Sequence, residues 1–214
     1  MQEREFAVVR IDKIHEIVSP IIEGRLHALG FEVQGPLHWL RSADAPVRQI
    51  FCLRQWKGGA LAPAWGLSLD FVPHVSGSNV KWHKTFKSAQ LDLTWDARNK
   101  AWDIPYCYGP KIIEAKAHEV LSTAIAEAEL FWKKAQLISD LPSAFERVKH
   151  HLSSGGLGFY NYVQHPLAYA FVLALNGNQQ AAQEEFQHYR SSTAESVRQK
   201  LQTLLTEAGQ ARLS

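Results

Sequence analysis

From about Phe31 to Tyr108 the period of the apolar residues changes to two, whereas on either side of that stretch they recur every third or fourth position. Alternate side chains line one face of a strand and three-four spacing lines one face of a helix, so such a chain must draw sheet and helices from separate segments. Trp65, Leu67, Leu69 and Phe71 alternate with Gly66, Ser68 and Asp70, and Ala89, Leu91, Leu93 and Trp95 alternate with Gln90, Asp92 and Thr94. Trp102, Ile104 and Tyr106 repeat the pattern opposite Asp103. Asp96 to Lys100 reads as the turn of a hairpin joining those last two runs. A less regular strand is expected over Arg48 to Trp56, with a partner beginning at Trp39-Leu40-Arg41 and a loop from Lys57 to Pro63. Clean alternation predicts an antiparallel sheet with one apolar face and one wet face.

The flanks read as helix. Ile14, Ile17, Val18, Ile21, Ile22, Leu26 and Leu29 form one stripe, with a kink or break expected at Ser19-Pro20 and a stop at Gly30. Beyond Gly109-Pro110, the residues Ile113, Val120, Leu121, Ala124, Ala128, Phe131 and Trp132 mark a long helix over 111–136. Asp140 is placed to cap the next helix, which turns Phe145, Val148 and Leu152 inward. A glycine-rich break at 153–158 precedes a helix from His165-Pro166 to Leu175 and another ending near Tyr189. Ser192-x-x-Glu195 has the form of a capping box for a last helix carrying Val197, Leu201, Leu204 and Leu205. The expected class is α+β: an N-terminal helix and an antiparallel sheet covered by a long helix, then a C-terminal helical region. The expected division is a sheet domain over 1–137 and a helical tail over 138–214 packed on it.

Composition narrows the function classes. With 46% hydrophobic and 21% charged residues the chain is not mainly disordered. Its net charge, 23 − 21 = +2, gives little field for nucleic acid or an acidic membrane. The longest apolar run, Leu167 to Leu175, falls well short of the about 20 residues of a membrane-spanning helix. The mixed charges of Met1 to Glu5 lead into no signal-type stretch, so a cytoplasmic protein is expected. Cys52 and Cys107 sit among apolar and aromatic neighbours and read as reduced, packed thiols.

No residue earns a catalytic, cofactor or metal assignment. The ten histidines are scattered without ligand spacing, His118-Glu119 lacks the second histidine of a zinc-protease helix, and His150-His151 diverge by about 100° on a helix. No GK[ST] follows the glycines at 153–158, no G-x-S-x-G occurs, and neither cysteine has a neighbouring base. The wet face offers more. Ser68, Asp70, Gln90, Asp92 and Thr94 should project from it. Asp70 and Asp92, if adjacent across strands, have the chemistry for a divalent cation or shared proton, which supplies one alternative, a metal-dependent hydrolase or nuclease. Trp65, Trp95 and Trp102 fall on the apolar face, whereas Trp56 and Trp82 lie near loops among Arg54, Lys57, Lys81 and Lys84. Those two suit a recognition patch, or, as a second alternative, stacking on single-stranded bases.

The series Pro20, Leu29-Gly30-Phe31, Trp39-Leu40-Arg41, Leu53-x-Gln55 and Trp65-Gly66-Leu67-Ser68-Leu69 resembles a bacterial domain-of-unknown-function family, the one numbered forty-three zero four, over about the first half of the chain. Ser68-Leu69-Asp70 stands where that family commonly has Asn-Leu-Gly. Leu167 to Leu175, with Gly177 and Ala181-Ala182, resembles half of a tetratricopeptide-type repeat, and one copy cannot make a solenoid. The resemblance implies a fold and carries no established activity; small α+β proteins of this style sit beside bacterial toxins as immunity proteins. The leading expectation is therefore a non-enzymatic protein-binding protein, an immunity or accessory factor whose partner is another protein such as a toxin. Its expected contact face is Ser68, Asp70, Gln90, Asp92 and Thr94 with Trp56 and Trp82.

Overall fold

The computed structural model describes residues 9–42, 44–56, 59–96, 102–154, 158–190 and 194–210. The fold is α+β, with an N-terminal helix, an antiparallel sheet and several helices after it. By contact the chain forms two units. One takes residues up to Ser42, Gln49–Gly66 and Trp95–Leu130; the other takes Ala43–Arg48, Leu67–Thr94 and Phe131–Ser214. The second unit is thus not the tail beyond residue 137 alone, because it also takes two segments of the sheet region.

In the first unit, α1 (Ile11–Ala28) buries Ile14, Val18, Ile22 and Leu26 completely on one stripe. The expected break at Pro20 does not occur, and the helix continues through it. Four such side chains, at about 1.5–3 kcal/mol each, outweigh the about 3 kcal/mol that an interior proline costs. The helix ends at Gly30, whose φ is +81°, and Phe31 N–H closes back onto the Leu26 carbonyl at 2.9 Å.

The sheet runs β1 (Glu32–Gly35), β2 (His38–Arg41), β3 (Val47–Trp56), β4 (Ala60–Leu69) and β7 (Leu93–Asp96) in that order. Trp39 pairs with Phe51 across β2 and β3, and a file of rings continues from Phe51 to Trp65 at 6.4 Å and to Trp95 at 6.4 Å. Trp65 is buried and Trp102, half-buried, also packs on it, so the three expected core tryptophans do meet. Residues 60–63 of the loop expected over 57–63 belong to β4, which begins at Ala60, and Lys57 and Gly58 lie outside the described residues. β8 (Ile104–Pro105) pairs with Ala60 and Leu61 of β4, the strand that also neighbours β7, in place of the expected hairpin partner. The turn proposed for that hairpin lies largely outside the described residues. In α2 (Pro110–Lys133), Ile113, Ala117, Leu121, Ala124 and Ala128 form the buried stripe.

In the second unit, β5 (Pro73–Ser76) and β6 (Asn79–Trp82) form a hairpin that the alternation did not reveal, turning at Gly77 with φ +63°. Four helices follow: α3 (Leu141–Ser154), α4 (Gln164–Leu175), α5 (Gln179–Gln187) and α6 (Glu195–Gln210). Residues His165 to Ala174 are all buried, so α4 is an interior helix. Asp140 accepts from Leu137 N–H at 3.0 Å and caps the short 3-10 turn before α3, not α3 itself. Asn178 caps α5, accepting from Ala181 N–H at 3.2 Å. Ser192 and residues 155–157 of the glycine-rich break lie outside the described residues. Among the described residues no helix is long and apolar enough to cross a membrane.

The expected wet face is a correction. Leu61 to Leu69 are buried without interruption, so β4 is covered on both sides, and Ser68 is fully buried with it. The run Ala89–Trp95 is a strand only from Leu93, because Phe86–Ser88 forms a 3-10 turn and residues 89–92 leave the sheet. Asp92 and Thr94 are consequently interior.

Candidate functional site

The second unit carries a cluster of charged and polar side chains in its interior. Asp92 is fully buried and accepts three hydrogen bonds. Leu69 N–H of β4 reaches its Oδ2 at 2.6 Å, His83 Nε2 reaches the same oxygen at 2.6 Å, and the Gln164 side-chain amide reaches Oδ1 at 3.0 Å. Asp92 N–H in turn donates to the Leu67 carbonyl at 2.8 Å, so backbone and side chain are both tied to β4. Burying a carboxylate is tolerable only when its oxygens are occupied in this way.

His83, also fully buried, is held from the other side. In the neutral tautomer that donates from Nε2 to the carboxylate, Nδ1 is an acceptor facing His74 Nδ1 at 3.3 Å. In that tautomer His74 donates from Nδ1, and its Nε2 is an acceptor with no partner among the described residues. Arg48 fixes the backbone beneath this pair. Its guanidinium donates to the Ser68 hydroxyl at 3.0 Å, to the His83 carbonyl, and to the Thr85 carbonyl at 3.4 Å. Burial draws the Arg48 guanidinium below its ordinary value, against the opposing pull of Asp70 and Asp92.

His74 is the outermost member. It stands opposite Lys81 in the hairpin register and is half-buried. Burial, with His83 and Lys81 adding to it and Asp92 opposing, holds its imidazole below the ordinary histidine value. His74 lines an open cleft of about 610 Å³, together with Val75, Ser78, Gln90, Leu91 and Gln164. Gln164 therefore lines the cleft while its amide is anchored to Asp92 and, at 3.1 Å, to the Pro73 carbonyl. The arrangement is a line of three hydrogen-bonded groups, Asp92, His83 and His74, running from the interior to the cleft wall.

The structure distributes the seven expected contact residues unequally. Ser68 and Asp92 belong to the buried cluster, and Thr94 is buried where its N–H donates to His165 Nε2 at 3.0 Å. Gln90 lines the cleft, half-buried; Asp70, also half-buried, has its N–H on the Pro46 carbonyl at 3.1 Å. Trp82 is 41% exposed, with the Lys84 ammonium 5.3 Å above its ring. Trp56 belongs to the first unit, where it lines a cleft of about 380 Å³ with Arg54 and His38. Both oxygens of Asp92 already accept protein donors, which lends the paired-carboxylate reading no support. Among the described residues no group of three or more His, Cys, Asp or Glu side chains is arranged to hold a metal ion.

His74, His83, Arg48 and Gln164 escaped the sequence reading. A signal for the first two existed: Pro73 to Ser76 and Asn79 to Trp82 flank Gly77-Ser78, the spacing of a two-residue hairpin, and His83 follows directly. Nothing local marked Arg48 or Gln164. Both cysteines are free thiols, and burial pushes that of Cys52 up to about 11, with Arg54 opposing. Comparison with known families, with curated proteins and with solved structures finds no match, so the site is read from its own atoms.

Proposed function

We propose that this protein works by binding a small organic ligand in the cleft beside His74. The observation that supports the reading is the hydrogen-bonded line from Asp92 through His83 to that wall. Burying these groups costs several kcal/mol per ion before their hydrogen bonds offset it, and aliphatic side chains of the same volume would often serve stability as well or better. A polar line that ends at a cleft, on an imidazole whose protonation is perturbed, is the pattern expected of a binding site. Val75 and Leu91 provide apolar wall, while Gln90, Ser78 and His74 provide polar contacts. Leu91→Trp places a bulky ring at the cleft wall and replaces neither Asp92 nor His83. It is expected to abolish the binding of hits from a ligand-observed NMR screen while leaving the circular dichroism spectrum unchanged. Hits that persist in Leu91→Trp would sink the reading.

A second reading, the protein-binding immunity or accessory factor, draws support from Trp82. A tryptophan 41% exposed, braced by Lys84, has the area of an interface anchor. Under this reading Trp82→Ala removes association with the product of an adjacent gene and leaves ligand binding in the cleft intact. Co-elution of the two proteins that survives Trp82→Ala disposes of it.

A further inference from the structure

We infer that the cleft is a proton-accepting site for weakly acidic organic ligands of the phenol class, and that the proton it takes is stored on His83 against Asp92. The inference rests on the cleft-binding reading above and adds a chemistry to it. His74 Nε2 has no partner among the described residues, and His74 lines the cleft wall. A ligand hydroxyl placed there loses its proton to Nε2. His74 then gives its Nδ1 proton to His83 Nδ1, along the 3.3 Å contact that already joins the two rings. His83 ends with both nitrogens protonated, its Nε2–H still on Asp92 Oδ2 at 2.6 Å. One O–H bond is broken and one N–H bond is gained overall, with no change of oxidation state. The ligand stays as its anion.

The charges around the pair favour that outcome. Facing the histidines are Lys81 from β6 and Asp92 from the segment before β7, with Arg48 and Asp70 further along the cluster. A cation left on His74 would stand beside Lys81, and burial already disfavours it there. On His83 the same charge meets a carboxylate directly, the arrangement that most stabilises an imidazolium. The ligand's anion, in turn, is formed close to Lys81.

Matching of acidity selects the ligand class. A carboxylic acid reaches the cleft already ionised, and an aliphatic alcohol is too weak an acid for an imidazole to ionise. A phenol lies between, and its ring suits the wall formed by Val75, Leu91 and Val163.

The probe is 4-nitrophenol, whose anion absorbs visible light and whose neutral form does not. Binding is read separately by saturation-transfer NMR, at a pH below the free probe's midpoint. The expected result is bound probe that is largely ionised, a rise of roughly tenfold or more in its ionisation constant, as a well-placed charge partner produces. His74→Gln, at a half-exposed position, is expected to bind the probe in its neutral form. Asp92→Asn, if its circular dichroism matches wild type, is expected to return the ionisation to that of free probe. Probe bound to wild type but un-ionised overturns the proton transfer and leaves the cleft reading standing. Absence of 4-nitrophenol binding overturns the phenol inference, and the cleft reading is then decided by its own ligand screen. Ionisation that persists in His74→Gln overturns the role given to the histidine pair.

Discussion

At the scale of single residues, Asp92 ties together distant segments of the second unit. Three donors converge on it, from positions 23, 9 and 72 residues away in sequence. Asp92→Ala strands the Leu69 N–H and the His83 Nε2–H in a dry interior and leaves the Gln164 amide only its bond to the Pro73 carbonyl. It is expected to cost about 3–5 kcal/mol, the range for leaving a buried ionic partner uncompensated. Ser68→Ala removes one of several acceptors of Arg48 and should cost about 1 kcal/mol. Urea unfolding of both variants checks the ratio; equal costs would show that Asp92 does not organise the cluster. The same residue shows why the site was hard to read. Alternation assigns a polar residue to the wet face, and it contains no information about donors supplied from β4 and from the first turn of α4. Ser68 and Thr94 were misplaced for the same reason, whereas Gln90, at the cleft, kept access to solvent.

At the scale of elements, legibility follows the range of the interactions. The stripes of α1 and α2 are written in residues three and four apart, so both helices were visible. Several strands were visible too, but not their coverage: Trp65 to Leu69 alternate as an amphipathic strand does and are buried throughout, because what covers the second face comes from elsewhere in the chain. Two substitutions separate local preference from tertiary demand. Pro20 is exposed within α1, so Pro20→Ala restores an amide donor and loses no packing. A gain of up to about 3 kcal/mol is expected, reduced by the greater freedom that the unfolded chain acquires. Gly59, just before β4, goes the other way. Its φ is +78°, and an added Cβ would lie 3.0 Å from Cys107 Cβ. Gly59→Ala should therefore lose at least about 1–2 kcal/mol from backbone strain alone. Thermal melts decide both; a destabilised Pro20→Ala would mean that the ring packs in a way the exposed position does not suggest.

For the whole molecule, the net charge of +2 gives little global electrostatic drive, so the pH dependence of stability rests on individual buried groups. Two of them bracket neutrality, and they lie in different units. His74 is held below its ordinary value near 6.5, so between its two values the unfolded chain binds a proton that the folded chain refuses. Its contribution is complete above about pH 6.5 and is lost as the pH falls through the folded value. Cys52 is pushed from 9.0 up to about 11, so the unfolded chain ionises first. Its contribution is complete below pH 9 and is lost as the pH rises towards about 11, a decline of about 2–3 kcal/mol. Tyr169, raised by burial and by its hydrogen bond to Glu146, deepens the same alkaline limb. Unfolding free energies across this range should thus form a plateau between two falling limbs. His74→Gln should flatten part of the acid limb alone, and Cys52→Ala part of the alkaline limb alone, although the loss of the thiol lowers the plateau. If instead Cys52→Ala lowers stability equally at pH 7 and pH 10.5, the thiol titrates as it does in the unfolded chain. Its neighbourhood in β3 is then wetter than a fully buried position allows.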